Sequence, residues 1–368
     1  MAISEFDRRM MAAAIRYSYR HLGRTGTNPS VATILVRDVG DVPVVVGRGI
    51  TAIGGRPHAE TEAIKEAGDL AKGATAYVTL EPCAHHASTP PCSEALVRDG
   101  IKRVVSATTD PDGRVSGRGY KILEDGGVEV EQDVLASDAQ YAMAGYLSMR
   151  KLSRPHVTLK MALSKDGMIG RRGGGQVAIT GPVSNDANHI LRATSDVIIV
   201  GIGTALEDDP SLTCRLPGLE DRSPVRLVLD RNLRLPLDST LVRTARDHPV
   251  LVATTSLPDH EAYDPLVQAG CSMMACDDSE TGIALPELLE DLGGRGYSSV
   301  LVEGGATVAE SFLQAGLVDR IRLFVGPQPI GEKGVPAPVS PDRMPKEYKL
   351  IETQMFAADT RYEFERTS

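Results

Sequence analysis

Apolar, β-rich runs alternate with helical patterns along this chain. The alternation stops near residue 151 and then starts again. Runs of that kind must be buried beneath the helices that separate them, which is α/β architecture. In the first part, VATILV (31–36) and VPVVVGRGIT (42–51) read as strands joined in a hairpin around RDVGD. HAETEAIKEAG reads as a helix closed by Gly68, ATAYVTLEP as a strand, and PCSEALVRDG as a helix ending at Gly100. KRVVSATT, GYKILEDGG and VEVEQDV continue as strand, helix and strand, and ASDAQYAMAGYLSMRK reads as one helix.

LSRP then breaks the pattern, because the residue before a proline avoids the helical region. The boundary is placed at about 147–154, giving domains 1–147 and 154–368; 368 residues are too many for one typical core. The second half restarts with HVTLKMALS (156–164) and runs through DVIIVGIGT, PVRLVLD, PVLVATT, SVLVEGG and IRLFVGP. Helical patterns intervene at SNDANHILRA, ALPELLEDLGG and TVAESFLQAGL, and the tail YKLIETQMFAADTRYEFE reads as a closing β-hairpin.

The N-terminal stretch carries acids and arginines through its apolar part, so it reads as an amphipathic helix capped by Ser4 and not as a secretory signal. No run approaches the ~18 apolar residues of a membrane span. The expected location is the cytoplasm, with no membrane partner. A net charge of −9 disfavours nucleic acid as a partner. In such a chain the five cysteines read as ligands or as reduced core thiols, the latter for Cys214, Cys271 and Cys276.

Two of the cysteines belong to a constellation. His58 and Glu60 open one helix, Cys83 follows a strand, and Cys92 opens the next helix after two prolines. One His and two Cys leave a fourth tetrahedral position open, the catalytic arrangement for Zn²⁺. The soft ligand set and the lack of any redox step favour zinc over iron. Zinc-bound water ionises near pH ~7, and Glu60 stands where it can shuttle that water's proton. A structural site would need a fourth ligand, for which His85 and His86 are the candidates. The plain alternative is a pair of buried thiols and an exposed His.

The stretch PHAETEAI…AYVTLEPCAHHASTPPCSEAL resembles the zinc-dependent cytidine-deaminase superfamily, and more closely the deaminase half of the bifunctional riboflavin-biosynthesis enzymes. That resemblance implies a three-layer α/β/α domain, zinc on His58, Cys83 and Cys92, and Glu60 as proton shuttle. TNPSVATILV is similar to the family's NP-x-V-G stretch, with Ala32 for Gly, which implies that Asn28 holds the pyrimidine. His85 falls at a substrate-contacting position, and TTDPDGRVSGRGY resembles the loop DPNP-x-V-x-G-x-G. Two departures stand between the cysteines. Ala87 replaces a Gly, and Ser88 replaces a Lys or Arg expected to meet the substrate's 5′-phosphate. Arg56 and Lys72 are the candidates for a substitute cation.

In the second half, LKMALSKDGMIG places Lys160 and Asp166 near a turn. Arg192, Asp208 and Arg215 surround one strand and its loop, and VLVEGGATVAESFL is strand, acid, Gly-Gly, helix. Glycines there let a ligand approach the backbone, and a helix N-terminus accepts phosphate. Singly, each is a glycine turn or a solvated charge. Together they resemble the reductase half of the same enzymes, over about 155–327. The resemblance implies a dihydrofolate-reductase-like α/β domain that binds NADPH. Ala162, Ala178, Thr204, Asp208, Arg231 and Gly305–Ser311 (Gly305, Ala306 and Thr307 first) would face the cofactor. Gln176, Arg192, Leu212, Arg215 and Glu303 would face the substrate, the arginines on its phosphate. Lys160 and Asp208 would lie nearest hydride transfer and proton supply. Gln176 and Ala178 depart from the family's Ser and Trp. The resemblance also implies a homo-oligomer formed through the reductase domain.

The expected activity is therefore bifunctional: zinc-dependent deamination of a phosphoribosyl pyrimidine, then NADPH-dependent reduction of its ribosyl group. The rivals are a deaminase of another nucleotide, and a paralogue with one active half.

Overall fold

The computed structural model describes residues 3–367 apart from 41, 87–89, 114, 172, 174–176, 280 and 281. Ala87, Ser88 and Gln176 thus lie outside the described residues. The chain divides into two compact units, Met1–Ser153 and Arg154–Ser368.

The first unit holds α1 (Glu5–Ser18), β1 (Ala32–Val39), β2 (Val42–Ile50), α2 (Ala59–Ala67), β3 (Thr75–Val78), α3 (Cys92–Arg98), β4 (Arg103–Ser106), α4 (Arg118–Asp125), β5 (Glu129–Glu131), α5 (Ala136–Ala142) and α6 (Ala144–Leu152). Ser4 caps α1 in a capping box with Asp7, and Gly68 ends α2 at φ +54. The sheet order is β2-β1-β3-β4-β5. β1 runs antiparallel to both neighbours, while β3, β4 and β5 are parallel.

Close helix–sheet packing places α2. A Cβ on Gly49 would overlap the Ala59 carbonyl oxygen, and one on Gly47 that of Ala63. The small residues Ala59, Ala63 and Ala67 supply the facing side of the helix. Glycine is required at both strand positions for this approach.

The expected single helix 136–151 is two helices. Met143 breaks it at φ −105, ψ 20, with its N–H folded back to Ala139 and Gln140. Its side chain is buried, and Gly145 beside it weakens helix formation. α6 runs through residue 147, and the first unit takes in all of it.

The second unit continues with β6 (His156–Leu163), β7 (Met168–Arg171), α7 (Pro182–Ala193), β8 (Val197–Gly201), α8 (Ile202–Asp208), β9 (Val225–Leu229), α9 (Thr240–Arg243), β10 (Val250–Thr254), α10 (Tyr263–Ala269), β11 (Ser272–Ala275), β12 (Asp278–Ser279), β13 (Gly282–Ile283), α11 (Leu285–Gly294), β14 (Ser299–Val302), α12 (Ala306–Gln314), β15 (Arg320–Val325), β16 (Gly334–Pro336), β17 (Tyr348–Phe356) and β18 (Asp359–Arg366). Nine strands form the main sheet in the order β11-β10-β9-β8-β14-β6-β15-β18-β17. It is parallel from β11 to β15, and the tail hairpin β17–β18 adds two antiparallel strands.

Both faces of this sheet are covered. In β8, Val197 and Ile199 join one apolar cluster while Ile198 and Val200 join the other. Such a strand reads as an unbroken apolar run. The run DVIIVGIGT is a strand only to Gly201; Ile202–Gly203–Thr204 already belong to α8. A Cβ on Gly201, the residue before α8, would press on Val308 of α12, which requires glycine there.

Candidate active sites

In the first unit, His58 is the residue before α2, Glu60 lies in its first turn, and Cys92 opens α3. Cys83 is delivered by the segment after β3. His58 Nδ1 lies 3.6 Å from Cys83 Sγ and 3.4 Å from Cys92 Sγ. The Cys92 N–H donates to Cys83 Sγ at 3.2 Å. Around a tetrahedral zinc, N and S ligands stand about 3.6 Å apart. The donor set therefore fits zinc. Among the described residues these three form the one such His/Cys/Asp/Glu cluster, all donor atoms within 4.8 Å.

The three donors are electrostatically linked to one another. The Cys92 thiol, with help from His58 and the Cys92 N–H, brings Cys83 down to about 4, while Cys92 is held up as the donor. His58 is raised, chiefly by its bond to Cys83 and against the opposing effect of burial. Glu60 is buried at 3% exposure. Burial pushes its carboxyl up, and the charge of Cys83 adds to the push.

A cavity of about 90 Å³ opens on this cluster and includes Asn28, His85, Arg56 and Arg150 in its wall. Asn28 donates its amide N–H to the Gly55 carbonyl at 3.2 Å. The buried His85 Nδ1 has no hydrogen-bond partner among the described residues. Lys72 lies instead against Gly100 and is not part of the described wall.

Sequence reasoning missed Glu81. It is buried and accepts three backbone N–H groups, from Asp110 at 3.2 Å, Gly117 at 3.0 Å and Gly119 at 2.9 Å. It thereby holds the 110–119 loop against the segment that carries Cys83. Tyr146, Arg150, Asp110 and Asp112 also line the cavity and were not singled out.

In the second unit a cavity of about 1260 Å³ opens where β8 and β14 end, the usual ligand position in parallel sheets. Lys160, Ala162, Ala178, Arg192, Thr204, Asp208, Arg215, Arg231, Glu303, Gly305, Ala306 and Thr307 all line it. Leu212 does not; it is buried at φ +56. Gly305 precedes α12 and donates its N–H to Thr204 Oγ1 at 3.2 Å. A Cβ on Gly304 would collide with Val308.

Arg192 is not solvated. Its Nε and Nη2 each meet the Glu303 carboxylate at 2.9 Å, and its Nη1 donates to the Thr213 carbonyl at 3.2 Å. Asn188, one turn earlier on α7 and also missed, donates to Glu303 at 3.1 Å. Its Oδ1 is buried with no hydrogen-bond partner among the described residues. Against the upward push of burial, Arg192 and the charge of Lys160 bring Glu303 down to about 2. Burial lowers Lys160 while Glu303 works to raise it, and burial raises Asp208. Arg231 pairs with Asp278. Asp166 accepts the Ile330 and Gly331 N–H groups and so holds a loop.

All five cysteines are free thiols, with Cys214 and Cys271 buried and Cys276 half-buried. No described helix is long and apolar enough to cross a membrane.

Two family models match. Residues 4–108 match the cytidine and deoxycytidylate deaminase zinc-binding region, and residues 155–362 match the RibD C-terminal domain. The riboflavin biosynthesis protein RibD of Aquifex aeolicus is 36% identical over 90% of this chain and 89% of its own. That of Escherichia coli K12 is 34% identical over 88% and 89%. Among solved structures, a diaminohydroxyphosphoribosylaminopyrimidine deaminase/5-amino-6-(5-phosphoribosylamino)uracil reductase from Thermotoga maritima superposes with TM-score 0.85, at 32% identity, over 98% of this chain and 99% of that one.

Proposed function

The chain belongs to the RibD family of riboflavin-biosynthesis proteins, and from that membership we propose how its two sites divide the work. It is a bifunctional enzyme, a zinc-dependent deaminase followed by an NADPH-dependent reductase, with cytidine-deaminase-like and dihydrofolate-reductase-like domains. The deaminase substrate is 2,5-diamino-6-(5-phosphoribosylamino)pyrimidin-4(3H)-one, and the ribosyl group of its product is then reduced to ribityl. One observation carries the first half of this reading: three donors at tetrahedral spacing with a buried carboxyl beside them.

His58, Cys83 and Cys92 would hold the zinc, which when bound would supply Lewis acidity to water. Glu60 is the group that would take a proton from water as its oxygen adds to the amino-bearing ring carbon. The same carboxyl returns the proton to the amino nitrogen, which departs as ammonia. His85, whose buried Nδ1 has no partner among the described residues, and Asn28 orient the pyrimidine.

In the second site NADPH, when bound, would supply the hydride for C1′ of the ring-opened sugar. Ala306 and Thr307 at the start of α12 offer backbone N–H groups to the cofactor phosphates, with Gly305 held by Thr204, Ala162 and Ala178 beside them and Arg231 at the adenosine end. We assign proton supply to Lys160, whose pKa burial draws down, with Asp208 in the same cavity wall. Arg215 is the phosphate-facing cation, and Arg192 acts through Glu303, which it orients.

The second unit supports self-association. β17 is an edge strand with Leu350, Ile351 and Met355 exposed, a template for pairing with a second copy. We place the enzyme in the cytoplasm, consistent with five reduced thiols.

The test follows ammonia release from the diaminopyrimidine with and without NADPH, and NADPH oxidation in parallel. Ammonia without NADPH, then matching oxidation, is expected. Oxidation only when the deaminated intermediate is supplied would overturn the deaminase assignment.

A further inference from the structure

The deaminase site has a charge problem. The expected cation between the two cysteines is absent, since position 88 is serine. A phosphorylated substrate still needs a partner for its dianion. Two arginines, Arg56 and Arg150, line the described wall of the cavity. Arg56 stands two residues before the ligand His58, close to where the amino-bearing carbon must react. Arg150 comes from α6, an element that carries none of the three ligands. Its guanidinium lies 5.3 Å from the Tyr146 ring centroid, and its Nη1 is 3.7 Å from Asp112 Oδ2. Tyr146 in turn donates to Asp110 at 2.9 Å.

The elements explain the placement. Tyr146 and Arg150 are four residues apart on α6, hence on one face, and that face meets the DPDG loop at 110–113. In this loop Asp112 stands where the family pattern DPNP has asparagine. An extra carboxylate in the cavity wall would repel a phosphorylated substrate unless a cation answered it. Arg150 does so across 3.7 Å, longer than a hydrogen bond. A guanidinium carries five N–H donors, enough to serve Asp112 and two phosphate oxygens together. The stacked Tyr146 ring limits the directions the fork can take.

We propose that Arg150, supplied by the last helix of the deaminase unit, replaces the missing loop cation as the residue that recognises the substrate's 5′-phosphate, with Asp112 as its tether. This rests on the deaminase reading given above.

The experiment measures ammonia release by the full-length, zinc-loaded enzyme on the diaminopyrimidine with and without its 5′-phosphate. The quantity read is the ratio of the two kcat/KM values. In Arg150→Ala this ratio is expected to fall about ten- to a hundred-fold, the size of a lost charge-assisted contact, and to fall through KM. Arg150→Lys should keep much of it. Ser88→Lys added to Arg150→Ala should restore it by returning a cation to the loop. An unchanged ratio in Arg150→Ala, including a parallel fall for both substrates, overturns the inference and makes Arg150 structural. Glu60→Ala separates the two failures. If it abolishes ammonia release while the Arg150→Ala ratio stands, the site reading survives alone. If ammonia release persists in Glu60→Ala, the site reading fails and takes this inference with it.

Discussion

Arg192 and Glu303, 111 residues apart, meet in a paired bond of 2.9 Å at each end beneath the reductase cavity. Both side chains are largely withdrawn from water. Removing one partner of such a pair costs about 3–5 kcal/mol, because the other is left charged and buried. Arg192→Ala should therefore lower the urea stability of the reductase unit by that order. A loss under 1 kcal/mol would mean that the pair is solvated in solution.

The same pair sets a pH dependence. Glu303 is held at about 2, below its ordinary value of about 4.3. The folded state thus binds fewer protons than the unfolded one between those values. The stabilisation is complete above about pH 4.5 and is lost as pH falls towards 2. The stability difference between the wild type and Arg192→Ala should shrink between pH 7 and pH 3. A constant difference would remove Glu303 from the acid limb.

The two activities should part cleanly under mutation. Glu60→Ala removes the proton shuttle and should cut ammonia release by about 100-fold or more. Lys160→Met should do the same to NADPH oxidation measured on the deaminated intermediate. Loss of both activities in either variant would indicate misfolding, and circular dichroism would reveal it.

Much of this was legible in the sequence, for local reasons. Ser4 and Asp7 make their capping box within one turn, Gly68 ends α2 by its own backbone, and His58, Glu60, Cys83 and Cys92 flag themselves by spacing. What escaped depends on distant partners. Arg192 looks like a surface charge until Glu303 arrives from another strand. Glu81 looks like part of a motif until three N–H groups from 110–119 close on it. Arg150 was hidden because α5 and α6 read as one helix, and only the folded chain brings its face to the DPDG loop. The need for glycine at Gly201, where β8 ends, was hidden likewise, because the atom a side chain there would strike belongs to Val308 of α12.

Glu81 should behave as a loop clamp. Glu81→Ala leaves three backbone donors without their acceptor, a loss of about 1–3 kcal/mol for each that stays buried. Hydrogen exchange at Gly117 and Gly119 should speed up markedly, and ammonia release should fall because Asp110 and Asp112 ride on the same loop. Unchanged exchange at both glycines would contradict the clamp.

The approach of α2 to β2 supplies the last prediction. Gly49 faces Ala59, next to His58 and Glu60, whereas Gly47 faces Ala63 and Ala67 further along the helix. Alanine at either position forces the helix off the strand, and overpacking of this kind costs about 1–3 kcal/mol. The consequences for the site should differ. Gly49→Ala displaces the end of α2 that carries the zinc ligand, so zinc per chain and ammonia release should both fall. Gly47→Ala displaces the far end and should destabilise the unit while retaining more of its zinc. Equal zinc content in the two variants at equal stability would show that close packing at Gly49 does not position His58.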